Sequence, residues 1–327
     1  MTRGLEIIQC AMACVQDLGR PAGGRLGLPA NGALDQFSFR AANILVRNAQ
    51  DVPAIEITAM DFVAKPTTDS LVAVTGAPAI VTLDGIPQNM WTPISMRAGQ
   101  RLKIHRIHEG LRVYVGVFGS FDVPHYAGSC APDSILGFGT ILSPGMVVPL
   151  NAMHRNIEHP FLIHPIFRTG FEPPSYSGTR TIDVTAGPDE IEFGDSTQKL
   201  YENHFVLSER SNAIGMRLTG ELPVRQSSGE SLSRGVPVGA IEVPPGNELL
   251  ILHRGRGVTA GYPVLAVASA SSLNRLAQVR PGTAVNFRKV SLADALRTNK
   301  QEHEQLKKLE QTISSIFTSL AVFGQAA

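Results

Sequence analysis

The sequence lacks the features that mark several whole classes of protein. It has no surplus of charge: 29 Lys and Arg stand against 28 Asp and Glu, a formal net charge of +1. A nucleic-acid binder that works by phosphate neutralisation needs a basic excess, so that class is excluded. Cysteine is scarce. Cys10, Cys14 and Cys130 are too few and too unevenly spaced for a secreted disulfide framework. No apolar run reaches the roughly 18 residues of a membrane helix, so no membrane span is expected. The first ten residues carry no basic stretch followed by an apolar one, so no signal peptide is expected and the expected compartment is the cytoplasm. The common phosphate, metal and nucleophile signatures are also missing: G-x4-G-K-[ST], G-x-G-x-x-G, H-E-x-x-H, paired C-x-x-C and G-x-S-x-G. The Gly-rich stretch Gly255–Gly261 has no lysine after it, so it is no P-loop. His105 and His108 point to opposite faces of an expected strand. His154, His159 and His164 fall in an aperiodic stretch, and no metal site is expected. No Met-Lys context for biotin attachment is present, so no covalently bound cofactor is expected.

What is present is a chain of 327 residues with 43% apolar content. That suits two domains of ~150 residues, or one large one, with a sizeable core. The 31 Gly and 22 Pro are spread as turn punctuation. Between them lie short β-branched or alternating runs, including Leu71–Thr75, Arg101–Ile107, Arg112–Phe118, Thr181–Thr185, Leu249–Leu252 and Ala284–Val290. Short strands with turn signals at regular spacing predict a mostly β chain of sandwich or barrel type. Ile104 to Tyr114 reads as a hairpin with Glu109-Gly110 at its turn. Three segments read as helix. Asp35 to Asn48 has Asp35 as its N-cap. Ser271 to Gln278 is shorter. Leu292 to about Leu320 carries an apolar stripe of Leu306, Leu309, Ile313 and Ile316, to be covered by the chain's own barrel or by a partner. The expected organisation is an N-terminal half at 1–150, a connector at 151–180, a C-terminal half at 181–291, and a C-terminal helix and tail at 292–327.

The densest polar constellation is Asp17-Leu-Gly-Arg20, then Gly27, then Asn31-Gly-Ala-Leu-Asp35. Glycines flank an acid and a base, and the segment feeds a helix N-terminus, which suits carboxylates or phosphates. Arg20 can clamp a carboxylate bidentately. The same residues also permit a structural reading, with an Asp17–Arg20 ion pair closing the loop and Asp35 acting only as a cap.

These motifs resemble those of a known family. Asp17-Leu-Gly-Arg20-Pro21, Gly27-Leu-Pro-Ala-Asn-Gly-Ala-Leu-Asp35, Arg40-Ala-Ala-Asn43 and Ala54-Ile-Glu56 are similar to the N-terminal signature of the 5-oxoprolinase C-subunit family. That family is also called KipA-like, allophanate hydrolase subunit 2, or biotin-dependent carboxyltransferase subdomains A and B. The likeness continues through Ala98–Leu102, Gly110–Tyr114, Gly119–Pro124, Gly239–Pro244, Thr259–Pro263 and Leu276–Gln278. It implies two cyclophilin-like β-barrel halves with a few helices and a C-terminal helix. It also implies a component of an amidohydrolase complex that opens 5-oxoproline, assembled with a KipI-like subunit and a LamB/YcsF-like subunit, ATP being used by the whole complex. A second branch moves a carboxyl group to urea with a biotin-carrying protein. A third role, a non-catalytic regulatory partner of a KipI-like protein, also occurs in the family.

The departures fall in the second half. Ala213 stands where the family pattern has Arg, and Glu242 where it has Gln. Gly255–Pro263 loses an Asp, a Gln, a Thr and a Gly, and Gly128–Asp133 loses an Arg. The expected catalytic residues are Arg20, Asp35 and Glu242, with Asp17, Asn31, Arg217, Thr259 and Tyr262 binding substrate. Arg20 and Arg217 would hold a carboxylate or oxyanion, with Arg256 a further positive charge, and Glu242 or Asp35 would handle protons.

Overall fold

The computed structural model describes residues 3–154, 167–176, 180–227, 229 and 231–324, with side chains to residue 320. His159 and His164 lie outside the described residues, as does much of the expected connector. The chain is mostly β and divides into two compact units. The first takes Met1–Leu18, Gln36–Tyr176 and His303–Ala327; the second takes Gly19–Asp35 and Ser177–Glu302. The division is therefore not linear in sequence: the Gly19–Asp35 segment folds with the second unit.

In the first unit a six-stranded and a five-stranded antiparallel sheet enclose one core. Strands Ser70–Gly76 and Arg112–Val117 are buried along their whole length. Val72, Val74, Val113 and Val115 face the core between the sheets, while Leu71 and Ala73 face a second apolar cluster. Cover on both faces explains why these strands read as continuous apolar runs with no alternation. Helix Gln36–Leu45 supplies part of that second cluster through Phe37, Ala41, Ile44 and Leu45, at helical spacing. The C-terminal helix Leu292–Gly324 supplies a further part through Leu306, Leu309, Ile313 and Phe317, and Val46, Trp91 and Phe167 complete it. Its apolar stripe is thus covered by the chain's own residues, with Phe317 as the last anchor and Ile316 partly buried.

The expected Ile104–Tyr114 hairpin does not form. Leu102–His105 pairs with Phe62–Pro66 and Ile80–Leu83 in the six-stranded sheet. Arg112–Val117 pairs with Ala54–Thr58 and Ser70–Gly76 in the five-stranded sheet. The intervening residues cross from one sheet to the other, with Arg106 at φ 53° and Gly110 at φ 110°. Ile107 is drawn into the core on the way.

The second unit is a closed barrel of seven strands. Its order is Arg180–Ala186, Val264–Ala268, Ala240–Glu242, Leu249–Leu252, Gly215–Thr219, Phe205–Leu207 and Ala284–Lys289. The first and last close it by a parallel pairing from Arg180↔Val285 to Val184↔Lys289. Ile182, Val184, Met216, Leu218, Ile241, Ile251 and Phe287 belong to its core. Side chains alternate along a strand, so with Ile241 inward Ala240 and Glu242 point out of the barrel. On that outer face lies a small cluster of Val236, Ala240, Leu252 and Val264, against which Ala260 packs. Ala260 belongs to a two-stranded ribbon of Arg234–Gly235 and Thr259–Ala260. A short helix, Ala270–Leu276, begins at Ser269, whose hydroxyl accepts the Ser272 N–H. Among the described residues no helix is long and apolar enough to cross a membrane.

Candidate functional site

The second unit holds seven of the eight residues that the sequence singles out; Asp17 belongs to the first. The Gly19–Asp35 loop is built from the backbone up. Arg20 N–H donates to Ala30 O at 2.7 Å, and Leu28 N–H to Gly23 O at 3.0 Å, around a 3₁₀ turn at Pro21–Leu26. Asn31, at φ 51°, donates its N–H to Arg254 O at 2.8 Å. This bond ties the loop to the one that follows barrel strand Leu249–Leu252. Arg20 is only 1% exposed, so this arginine is a fixed part of the loop and no solvated surface charge. Asp35 is 2% exposed and accepts Gln278 Nε2–H at 2.8 Å. It sits immediately before helix Gln36–Leu45, in the position expected for its cap.

Glu242 is the most unusual group in the unit. It is 1% exposed, and neither carboxylate oxygen has a hydrogen-bond partner among the described residues. Its cross-strand neighbours are Leu250 and Val264, which offer no donor. Burial therefore pushes the carboxyl up to about 7, against a weaker opposing pull from Arg234. Arg234 is a poor counter-charge because its guanidinium is already bound to Asp189. Asp189 is held in turn by the Val264 N–H at 2.7 Å. At neutral pH the Glu242 carboxyl thus exists in both forms, which is what a general acid or base requires.

The remaining expected residues separate. Arg217 Nη1 donates to Glu248 Oε2 at 2.9 Å, and Arg210 binds the same carboxylate. Arg217 thus has a fixed partner 31 residues away. The pair is partly exposed, so Arg217→Ala should cost less than about 1 kcal/mol in a denaturation titration. Thr259 lies exposed in the ribbon with Arg234. Tyr262 is partly exposed and lines a cavity of about 780 Å³ with Leu222, Val243, Pro244 and Pro263. Val243 follows Glu242 in sequence. In the first unit, Asp17 accepts Ser129 Oγ–H and the Cys130 N–H, both at 2.7 Å.

Two further residues stand out: Arg256, expected only as an additional positive charge, and Glu302, which no sequence motif marked. Arg256 is half-buried, its Nε has no hydrogen-bond partner among the described residues, and burial pulls its guanidinium down with no acid to offset it. It stands on the loop that Asn31 contacts, and it is a better free cation than Arg217. Glu302, on the C-terminal helix, accepts Asn274 Nδ2–H at 3.1 Å. Burial and the charge of Asp35 push it up to about 6. No motif marked it; only the fold brings it near Asp35.

Other motif residues are structural. Tyr114 O–H donates to Glu56 Oε2 at 2.8 Å, and Arg112 pairs with Glu56 at 3.6 Å in the first unit. Asn43 Nδ2–H donates to Val52 O at 2.9 Å and tethers the helix to the loop after it.

The geometry agrees with the comparisons to known proteins. The model of the carboxyltransferase domain, subdomain A and B, matches residues 26–289. The chain belongs to that family. It is 32% identical to the 5-oxoprolinase C-subunit of Escherichia coli over 93% of this chain and 97% of that protein. It is 29% identical to urea amidolyase of Saccharomyces cerevisiae over 92% of this chain but only 17% of that protein. The crystal structure of the K. lactis urea amidolyase superposes with a TM-score of 0.82 at 25% identity, over 94% of this chain and 20% of that one. The carboxyltransferase family thus accounts for the mostly β architecture and the closed barrel.

Proposed function

We propose that the chain acts as the C-subunit does in 5-oxoprolinase, as one component of a heteromeric, ATP-dependent complex that hydrolyses a lactam or amide. The observation that carries this reading is Glu242, a buried carboxyl without a hydrogen-bond partner among the described residues and pushed up to about 7. Amide cleavage fails unless the departing nitrogen is protonated, and Glu242 in its neutral form supplies that proton. Arg20 and Arg256 supply positive charge for a substrate carboxylate or a developing oxyanion. Tyr262 orients the substrate at the cavity wall, and Asp35 with Glu302 is a second acidic pair for proton transfer. The likeness to 97% of the length of a 5-oxoprolinase C-subunit, against 17% of a urea amidolyase, supports this branch over the other. The site is finished by two partners, one KipI-like and one LamB/YcsF-like.

The close structural likeness to a urea amidolyase favours one second reading: transfer of a carboxyl group to a urea-type nitrogen with a biotin-carrying partner. Glu242 would serve there too, by taking a proton from the accepting nitrogen. Reconstitution separates the two. Glutamate formation from 5-oxoproline should require ATP and all three proteins. Glu242→Gln should lower turnover by about 10²-fold or more while the complex still assembles. Unchanged turnover removes Glu242 from the mechanism. Avidin-sensitive carboxylation in place of lactam opening selects the second reading. Capture of a KipI-like protein with neither activity makes the chain a regulatory partner.

A further inference from the structure

The first unit brings three kinds of metal ligand together. Atoms of Asp17, His125 and Cys130 that can coordinate a cation all lie within 4.8 Å of one another. Nothing in their sequence spacing announces this, but the backbone explains it. Tyr126 N–H donates to Ser129 O at 2.8 Å, and Ser129 N–H returns to Tyr126 O at 3.1 Å. Between them Ala127 has φ 49° and Gly128 φ 83°. Two positive φ values inside a doubly bonded pair describe a type I′ turn. His125 and Cys130 are then the next pair out, opposite each other and on one face. In such a non-hydrogen-bonded pair the side chains come closest.

Asp17 enters from the end of strand Ala13–Gln16. Its carboxylate is held by Ser129 Oγ–H and by the Cys130 N–H, at 2.7 Å each, and each carboxylate oxygen carries a second lone pair. His125 Nδ1 lies 2.9 Å from Val123 O. With that N–H donated to the carbonyl, Nε2 carries the lone pair. A backbone carbonyl on the far nitrogen is the usual support of a metal-bound imidazole. His125 is exposed, which leaves an entry path, while Asp17 and Cys130 are buried.

A cysteine beside a histidine and an aspartate also suggests a nucleophile. The surroundings argue against that use. Cys130 is 1% exposed, and both burial and Asp17 push its thiol up. A thiolate there faces a carboxylate across a short gap, and a divalent cation between them offsets both charges.

We propose that Asp17, His125 and Cys130 bind a zinc ion, with the fourth position open to water or a small ligand. Zinc takes this mixture of oxygen, nitrogen and sulfur in tetrahedral geometry, with ligand atoms about 3.5 Å apart. Binding would draw the three ligand atoms in from separations of up to 4.8 Å by small adjustments that keep the His125 Nδ1–H bond to Val123 O. The Cys130 thiol proton leaves to solvent as the Zn–S bond forms.

The test uses the full chain, stripped with a chelator and titrated with zinc, then with cobalt(II) as a spectroscopic probe. One zinc per chain should survive dialysis and raise the melting temperature. Cobalt should show a sulfur-to-metal charge-transfer band. His125→Ala changes an exposed side chain and should fold normally, yet lose the retained zinc and the thermal shift. Cys130→Ser should lose the sulfur band. Retention of zinc by His125→Ala at the wild-type level, or a cobalt spectrum with no sulfur band, would overturn the assignment. The proposal is independent of the lactam reading, since metal retention is measured without any partner or turnover.

Discussion

Relative to wild type, Glu242→Gln should gain stability between pH 4.5 and pH 8. The sign follows from which state holds the proton. In the unfolded chain the carboxyl ionises at its ordinary value of 4.5, while in the fold burial beside Leu250 and Val264 pushes it up to about 7. Below 4.5 both states are neutral, and the carboxyl costs the fold nothing through ionisation. Between 4.5 and 7 the unfolded state loses its proton first, so stability falls by about 1.4 kcal/mol per pH unit. Above 7 the folded state ionises too, and the loss levels off near 3 kcal/mol. Glutamine cannot ionise. Whatever constant offset its amide brings, the wild-type slope between pH 4.5 and 7 should vanish, and the melting-temperature difference between the two proteins should move in the variant's favour by on the order of 8 °C from pH 4.5 to pH 8. Denaturant titrations of both proteins across pH 4–8.5 check this. Parallel curves would mean that Glu242 is not the buried titrating group. Combined with lost turnover, a vanished slope would mark a group whose burial is tolerated for chemistry at a cost in stability.

The strands of both units were legible because Gly and Pro bound short β-branched runs. Leu249–Leu252 appears at its expected limits, and Ser70–Gly76 and Arg112–Val117 within a residue or so of theirs. Pairing was not legible. Glu109-Gly110 is a good turn signal, yet a turn says nothing about whether its flanks bond to each other. Arg112 finds Thr58, and Val113 finds Gly76, far back in the chain. The same limit applies to the site. Glu242 stood out as an acid where the family pattern has an amide. That its carboxylate meets no donor among the described residues became visible only once Leu250 and Val264 lay across from it. Arg217 looked free until the fold placed Glu248, just before the adjacent strand Leu249–Leu252, beside it. His125 and Cys130 are brought opposite by a turn whose first central residue is alanine, and Ala-Gly is a weak predictor of positive φ at both positions.

The Gly19–Asp35 loop offers the sharpest contrast between two glycines that look alike in sequence. Gly19 has φ +84° and Gly27 φ +73°, so an alanine is strained at either. Their surroundings differ. A Cβ on Gly19 would lie 2.4 Å from both Ala30 O and Asn31 O, which are backbone atoms of the same loop. A Cβ on Gly27 would meet nothing within 4 Å among the described residues. Gly27→Ala should therefore cost only the conformational term, about 1 kcal/mol. Gly19→Ala must also push the Ala30–Asn31 segment away, breaking the Arg20–Ala30 bond and disturbing Asn31 on Arg254. Its expected cost is roughly 3 kcal/mol or more. Because Arg20 and the Asn31 contact move with that segment, the loss should extend to turnover of the assembled complex, whereas Gly27→Ala should keep it. Denaturant midpoints and turnover of the two variants, measured side by side, check both halves. Equal effects at the two positions would show that the close approach of the Gly19 backbone to Ala30 and Asn31 does not hold the loop.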